Sequence, residues 1–150
     1  MQAAALILVM ALAPADASAP VDGPPAPSAV AAVDICELQG AWDVVACTVG
    51  GRDQLPLFWG HRWVFTGSAV RSLDATGRQA IPSDAFWADP TCSPARLDLP
   101  ASGDIRLRRG IYRRVGDQLL WAWTCSDDGP PTSFDPAPGV VVWTLRRVKK

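Results

Sequence analysis

Tryptophan is the most conspicuous chemical feature of this sequence, which has seven indoles in 150 residues. Trp121 and Trp123 are two positions apart in a segment that predicts a strand, so their rings share one face of it. With Trp63 and Phe65, they predict an aromatic pocket that would hold a small apolar or aromatic ligand against indole faces. The alternative is a filled core, which the small size of the domain favours, because rings of this volume leave little free space.

Basic residues form the second candidate group: Arg106, Arg108, Arg109, Arg113, Arg114, Arg146, Arg147, Lys149 and Lys150. Such a cluster could bind an anion, for example a sulfated glycan or a phosphate group. Alternating arginines are more typical of the solvated face of a strand, and that is the role expected for most of them. One of Arg146 and Arg147 could instead point inward and cover Trp42 by a cation–π contact.

Catalytic and metal-binding chemistry has little basis in the sequence. His61 is the only histidine, and neither a Gly-x-Ser-x-Gly turn nor a Cys-x-x-Cys pair is present. Asp127 and Asp128 lie in a Gly/Pro-rich stretch that is more typical of a turn than of a calcium site. We therefore expect no catalytic residue, no metal and no cofactor, with a hydrolase kept as a remote alternative to a protein that is not an enzyme.

The first 34 residues predict export. The apolar run over residues 3–13 precedes small residues, which predicts a signal peptide over residues 1–17. That run is shorter than the roughly 20 residues that a membrane-spanning helix needs. Residues 18–34 are rich in Pro and Ala and predict a disordered segment. We therefore expect a secreted or periplasmic protein without a membrane anchor.

Residues 35–150 predict one all-β domain. Their apolar segments are short, rich in β-branched and aromatic residues, and separated by Gly and Pro. Eight such segments follow one another: 42–48, 61–66, 69–73, 85–87, 95–99, 104–115, 118–125 and 140–148. About eight antiparallel strands can close an up-and-down barrel, which leaves no edge unpaired. A sandwich is the alternative.

A short stretch at the start of the first strand carries a resemblance to known proteins. Leu38-Gln39-Gly40-Ala41-Trp42 resembles the Gly-x-Trp opening of lipocalin-like, calycin-type barrels. The resemblance implies that Gly40 makes a turn and that Trp42 closes the floor of the barrel. It also implies that a basic side chain from the last strand packs on this indole.

Further stretches agree in order with one lipocalin-like domain family that is expanded in planctomycete bacteria: residues 63–67, 93–99, 110–119 and 131–134. The resemblance covers nearly all of the chain from Cys36 onwards, and the family has no established biochemical activity. Two positions depart from its pattern. Pro130 stands where an arginine usually precedes Pro-Thr-x-Phe, and Ser133 replaces an acidic residue, so an Arg–carboxylate pair that could fix this loop is absent.

Four cysteines behind an export signal predict up to two disulfides, for which three connectivities are possible. If the strands alternate up and down from Trp42, Cys36 and Cys92 lie near the closed end of the barrel. Cys47 and Cys125 then lie at the open end. Because bridged Cα atoms lie within about 7 Å of each other, this favours Cys36–Cys92 and Cys47–Cys125.

The function expected from these patterns is that of an exported, monomeric binding or interaction module. In one hypothesis, the indole pocket carries a small apolar or aromatic ligand. In the other, the interior is solid, and the surface, loops or arginine-rich face contact an extracytoplasmic protein or glycan. A formal net charge of −1 gives no basis for a nucleic-acid partner. An enclosed cavity lined by indoles would favour the first hypothesis, and a packed interior the second.

Overall fold

The structure is a computed structural model that describes residues 35–101 and 106–149. Residues 35–38 form a helical turn, α1, and a second short helix, α2, spans Leu55–Phe58. The rest is built on strands: β1 (Gly40–Val49), β2 (Arg52–Asp53), β3 (Arg62–Thr66), β4 (Ala69–Leu73), β5 (Gln79–Ala85), β6 (Trp87–Asp89), β7 (Ala95–Asp98), β8 (Arg109–Val115), β9 (Gln118–Thr124) and β10 (Val141–Arg147). The all-β prediction is confirmed. The predicted signal peptide, 1–17, and disordered segment, 18–34, lie outside the described residues.

The ten strands form one antiparallel sheet in the order β5-β4-β3-β1-β10-β9-β8-β7-β6, and β2 pairs only with β1. The sheet curls into a half-barrel. The first and last strands are neighbours at its centre, while β5 and β6, joined through Phe86, are its two edges. This corrects the expected closed barrel of eight strands. Within the described residues there are ten strands, and β5 does not pair with β6.

Two strands, β2 and β5, were not predicted from the sequence, each for a local reason. β2 is only two residues long and is the return arm of a hairpin at the end of β1. β5 has a single large apolar residue, Ile81, so no alternation is visible in its sequence. The predicted strand at residues 85–87 is divided between the end of β5 and the start of β6, on either side of the buried Phe86.

Indoles fill the interior of the curled sheet. Trp42, Trp63, Trp121 and Trp143 are each at most 2% exposed. The ring of Trp63 lies edge-to-face with Trp121 at a centroid distance of 5.1 Å, and with Trp143 at 5.7 Å. Aromatic pairs in this geometry stabilise a fold by about 0.5–1.5 kcal/mol beyond the burial of their area. The interior around these rings is therefore a packed core.

A β-bulge in β1 decides which side chains of this strand face the core. The pairing of β1 with β10 shifts between Val44 and Ala46, which leaves Val45 as the extra residue. Strict alternation from Trp42 and Val44 would bury position 46. Instead, Ala46 is only partly buried and Cys47 is 1% exposed. The bulge therefore turns the Cys47 thiol into the interior.

Within the described residues, no helix is long and apolar enough to cross a membrane.

Candidate functional site

The floor of the half-barrel is built around Trp42. Gly40 has a φ of +111°, a conformation that a residue with a side chain adopts only under strain, and it leads the chain from α1 into β1. The Trp42 indole donates a hydrogen bond from Nε1 to the Leu38 carbonyl at 2.8 Å. The guanidinium carbon of Arg147 lies 4.3 Å from the ring centroid. The expected cation–π contact is present, and Arg147, not Arg146, makes it.

Arg147 also ties α1 to the last strand. Its Nη1 donates to the Gln39 carbonyl at 2.7 Å, and its Nη2 donates to the Glu37 carbonyl. Burial, and then the charge of Arg114, lowers the pKa of Arg147 from its ordinary value. A single side chain thus covers the floor indole and satisfies two carbonyls at the end of the helical turn.

Replacing Arg147 with Ala is expected to lower the free energy of unfolding by about 1–2 kcal/mol, because charged hydrogen bonds and the cation–π contact are lost together. Arg146→Ala is the matched control, since Arg146 is the exposed neighbour on the same strand. It should change stability by less than about 0.5 kcal/mol. Urea denaturation of both variants measures the difference. Equal losses would contradict the role given to Arg147.

Close to this floor, a groove of about 450 Å³ opens to solvent beside β8. It combines the turn before β7, the end of β8, the helical turn α1 and the loop between β9 and β10. We call it the β8 groove, and its lining residues are Glu37, Pro90, Cys92, Ser93, Pro94, Ala95, Tyr112, Arg113, Arg114 and Phe134. Segments far apart in the chain therefore meet at one concave surface.

The charged groups of the β8 groove are held in two different ways. Arg114 pairs with the Glu37 carboxylate at 3.1 Å, and its Nε donates to the Gly116 carbonyl at 3.2 Å. The guanidinium carbon of Arg113 lies 5.2 Å from the centroid of the Phe134 ring. Within the described residues, the Arg113 guanidinium has no hydrogen-bond acceptor. Within the groove, the positive charge of Arg114 is therefore balanced by a carboxylate, and that of Arg113 is not.

The remaining arginines depart in part from the expected solvated face. Arg106 and Arg146 are exposed, as that expectation requires. Arg108 is instead only 3% exposed, and its guanidinium carbon lies 5.7 Å from the Trp123 ring centroid. Because Arg108 precedes β8 by one residue and contacts the strand next to it, the local sequence alone did not reveal its burial.

The four residues predicted to form an aromatic pocket differ in their exposure and in the rings that they contact. Trp63, Phe65 and Trp121 are at most 2% exposed, and Trp123 is half-buried. Trp63 and Trp121 are in ring contact, whereas Phe65 faces Phe86 edge-to-face at 5.1 Å. None of the four predicted residues lines the β8 groove. The indole N–H groups of Trp63 and Trp123 are buried without a partner within the described residues.

All four cysteines are free thiols, so the structure does not confirm a disulfide. Cys36 precedes the groove residue Glu37, and Cys92 lines the same groove, so this predicted pair lies at one end of the sheet. Burial raises the pKa of the Cys92 thiol, and the hydrogen bond that this thiol donates to the Asp89 carboxylate raises it further. A Cys36–Cys92 bridge stays a prediction.

The other predicted pair, Cys47 and Cys125, would join β1 to the residue after β9, and β10 lies between these two strands. Cys47 aligns with Trp143 of β10, which aligns with Trp121 of β9, and Cys125 lies four positions further along the chain. A Cys47–Cys125 bridge therefore also stays a prediction. Burial, followed by the charge of Asp53, raises the pKa of Cys47 to about 11, so this thiol is protonated at neutral pH.

Among the described residues, no group of three or more His, Cys, Asp or Glu side chains is arranged to hold a metal ion.

Sequence reasoning did not single out most members of the β8 groove, among them Glu37, Tyr112 and Phe134. Arg113 and Arg114 were recognised only as members of a basic cluster. The available signal was that residues 93–99, 110–119 and 131–134 all belong to the stretches that carry the family resemblance. Their convergence at one groove depends on strand pairing, which the sequence does not display.

Fold and site together define an all-β, half-barrel protein with a packed aromatic interior and a charged groove on its surface. In comparisons with protein-family models, curated proteins and solved structures, nothing matched this chain. The resemblance to lipocalin-like proteins therefore stays a prediction.

Proposed function

We propose that this protein is an exported binding module, not an enzyme, that acts through its surface and uses the β8 groove as its contact site. The observation that carries the proposal is the contrast between interior and groove. In the interior, the ring of Trp63 contacts the rings of Trp121 and Trp143. The groove, by contrast, presents an unbalanced guanidinium, an aromatic ring and two prolines to solvent.

The chemistry of the groove favours a ligand that is partly anionic. Its volume of about 450 Å³ lies within the range of pockets that hold small ligands or short chain segments. The Arg113 guanidinium can offer two parallel N–H donors to a carboxylate or sulfate. Phe134 and Pro94 supply apolar surface beside it. We therefore expect ligands that combine a negative charge with an apolar portion.

A second candidate function is supported by the buried indoles themselves. The Nε1 donors of Trp63, Trp123 and Trp143 are buried without an acceptor within the described residues. An unpaired buried donor costs about 1–3 kcal/mol, and water or a ligand oxygen would recover that cost. A small interior ligand would then need a hydrogen-bond acceptor in addition to the apolar or aromatic character inferred from the sequence.

A titration of the protein with fatty acids, aromatic compounds and two anionic probes, polyglutamate and a sulfated hexasaccharide, separates the two candidates. Surface binding predicts saturable binding of an anionic probe, weakened about tenfold by Arg113→Gln. Arg71→Gln is the matched control, because Arg71 is exposed on β4, away from the groove. Saturable quenching of tryptophan fluorescence by an apolar compound, lost in Trp123→Ala but not in Arg113→Gln, would instead establish an interior carrier.

A further inference from the structure

We propose that the β8 groove receives an extended peptide segment that carries an acidic side chain and pairs with the open edge of β8 at Arg114. This inference rests on the proposed function, since it names the class of ligand that the groove would take. It is carried by the backbone of β8, by the position of the groove across its edge, and by the charge that the groove leaves unbalanced.

The strand next to β8 stops short of its end. β7 pairs with β8 only through Ala95–Tyr112 and Arg96–Ile111. The three residues that precede Ala95, numbers 92–94, form bends and do not continue the strand. On its other side, β8 remains paired with β9 as far as Val115. The last part of β8 is therefore open on one side only.

The main chain of Arg114 faces that open side. Leu99 and Arg108 exchange both backbone hydrogen bonds, each at 2.9 Å, so the backbone groups of Arg108 point toward the β7 side. Alternate residues of a strand direct their N–H and C=O to the same side, which places those of Arg114 there as well. Within the described residues, β7 does not reach Arg114, and no loop backbone donates to or accepts from its main chain on that side. The edge thus offers one donor and one acceptor.

The β8 groove lies across this edge. Arg113 and Arg114 are adjacent in a strand, so their side chains project to opposite faces of the sheet. Both nevertheless line the same groove, with Phe134 beside Arg113 and Glu37 beside Arg114. A chain that occupied the groove would therefore run along the strand edge, with one arginine on each side of it.

The charge balance of the groove favours an acidic side chain. Glu37 is the only carboxylate among the lining residues, and Arg114 already pairs with it at 3.1 Å. The Arg113 guanidinium is fixed against the Phe134 ring and lacks an acceptor within the described residues. An Asp or Glu of an added strand would project toward one face and provide that acceptor.

A peptide matches these features better than a glycan does. An extended peptide supplies a backbone C=O for the Arg114 N–H and a backbone N–H for the Arg114 C=O, which is the contact made when a peptide adds a strand to a sheet. A sulfated glycan matches the charge of Arg113 equally well. It has no repeating amide that fits the edge, so the backbone requirement distinguishes the two ligand classes.

The test uses the full-length protein and acetylated, amidated heptapeptides of Val, Thr and Ala with Asp or Asn at the centre, with binding followed by fluorescence anisotropy. We expect the Asp peptides to bind, and the Asn peptides to bind about tenfold more weakly. N-methylation of alternate peptide nitrogens should weaken binding to a similar extent, because it removes the donor that reaches the Arg114 carbonyl. Equal binding of methylated and unmethylated peptides would overturn the strand-pairing model.

Protein variants at Arg113 and Arg114 test the same contacts from the other side. Arg113→Gln should abolish the preference for Asp over Asn. Arg114→Pro removes the backbone N–H of the edge, and Arg114→Gln is its matched control, because it removes the same charge and keeps that N–H. Circular dichroism checks that each variant folds. If Arg114→Pro does not fold, the N-methylated peptides still test the open edge of β8.

The outcomes also separate this inference from the proposed function. Binding of a sulfated hexasaccharide that depends on Arg113, without binding of Asp peptides, would keep the groove as a contact site and overturn the peptide. Failure of the peptides, polyglutamate and the hexasaccharide alike to bind in an Arg113-dependent way would overturn both.

Discussion

Replacing Trp121 with Ala is expected to lower the free energy of unfolding by about 3–5 kcal/mol, the usual cost of removing a large aromatic side chain from a core. The indole is fully buried and contacts the Trp63 ring edge-to-face at 5.1 Å. Its Nε1 donates to the Leu97 carbonyl at 3.3 Å, which links the core to β7. Urea denaturation followed by far-ultraviolet circular dichroism measures the loss.

Trp59→Ala is the matched control for this substitution, because Trp59 follows α2 and is 72% exposed. Its removal should change stability by less than about 0.5 kcal/mol. Trp123→Ala should fall between the two, since Trp123 is half-buried beside Arg108. A loss at Trp121 no larger than the loss at Trp59 would contradict the description of the interior as a packed core.

Gly110→Ala is expected to lower the free energy of unfolding by about 3 kcal/mol, the upper end of the usual cost of overpacking. A Cβ at this position would lie 2.6 Å from the Leu97 carbonyl oxygen, 2.7 Å from Trp121 Nε1 and 2.9 Å from the Ala122 carbonyl oxygen. Two of these atoms belong to the backbone of flanking strands, so β7 and β9 would have to separate to admit one methyl group. Thermal and urea unfolding both report the loss.

Gly116→Ala separates crowding from backbone strain. Gly116 has a φ of +61°, and a Cβ there would meet no atom within 4 Å. Its replacement should therefore cost only about 1–2 kcal/mol, from the left-handed conformation alone. If Gly116→Ala proved more damaging than Gly110→Ala, crowding between β7 and β9 would not be the reason for the glycine at position 110.

The sequence predicted those features that depend on neighbouring residues. Alternation of apolar residues located most of the strands, and the glycine two positions before Trp42 indicated the turn at the floor. The partner of Trp42 was narrowed to two adjacent arginines, and only the structure selects Arg147. Alternation shows that Arg146 and Arg147 face opposite sides of the sheet, but not which of them faces the interior. The pairing of β10 with β1, which places Arg147 opposite Trp42, decides this.

Features that depend on the register of distant strands could not be predicted. Val45 is an ordinary strand residue, so nothing in the sequence reveals that it is bulged and that Cys47 therefore turns inward. The β8 groove is a further case, because Glu37 and Phe134 meet Arg113 and Arg114 only through strand pairing and the return of the chain from β9 to β10.

The pairing of the first and last strands also determines how the molecule would respond to tension. The register begins at Trp42–Arg147, so the start of β1 and the end of β10 lie side by side at the same end of the sheet. A pulling force applied to the two ends of the chain would therefore act on one cross-strand pair at a time and separate β1 from β10 successively, starting at Trp42–Arg147. Shearing of parallel-loaded bonds, which resists much larger forces, is not available in this geometry. The contacts nearest the two ends, the hydrogen bond from the Val148 N–H to the Ala41 carbonyl and the Arg147 contact on Trp42, would be loaded first and would set the force at which unfolding begins.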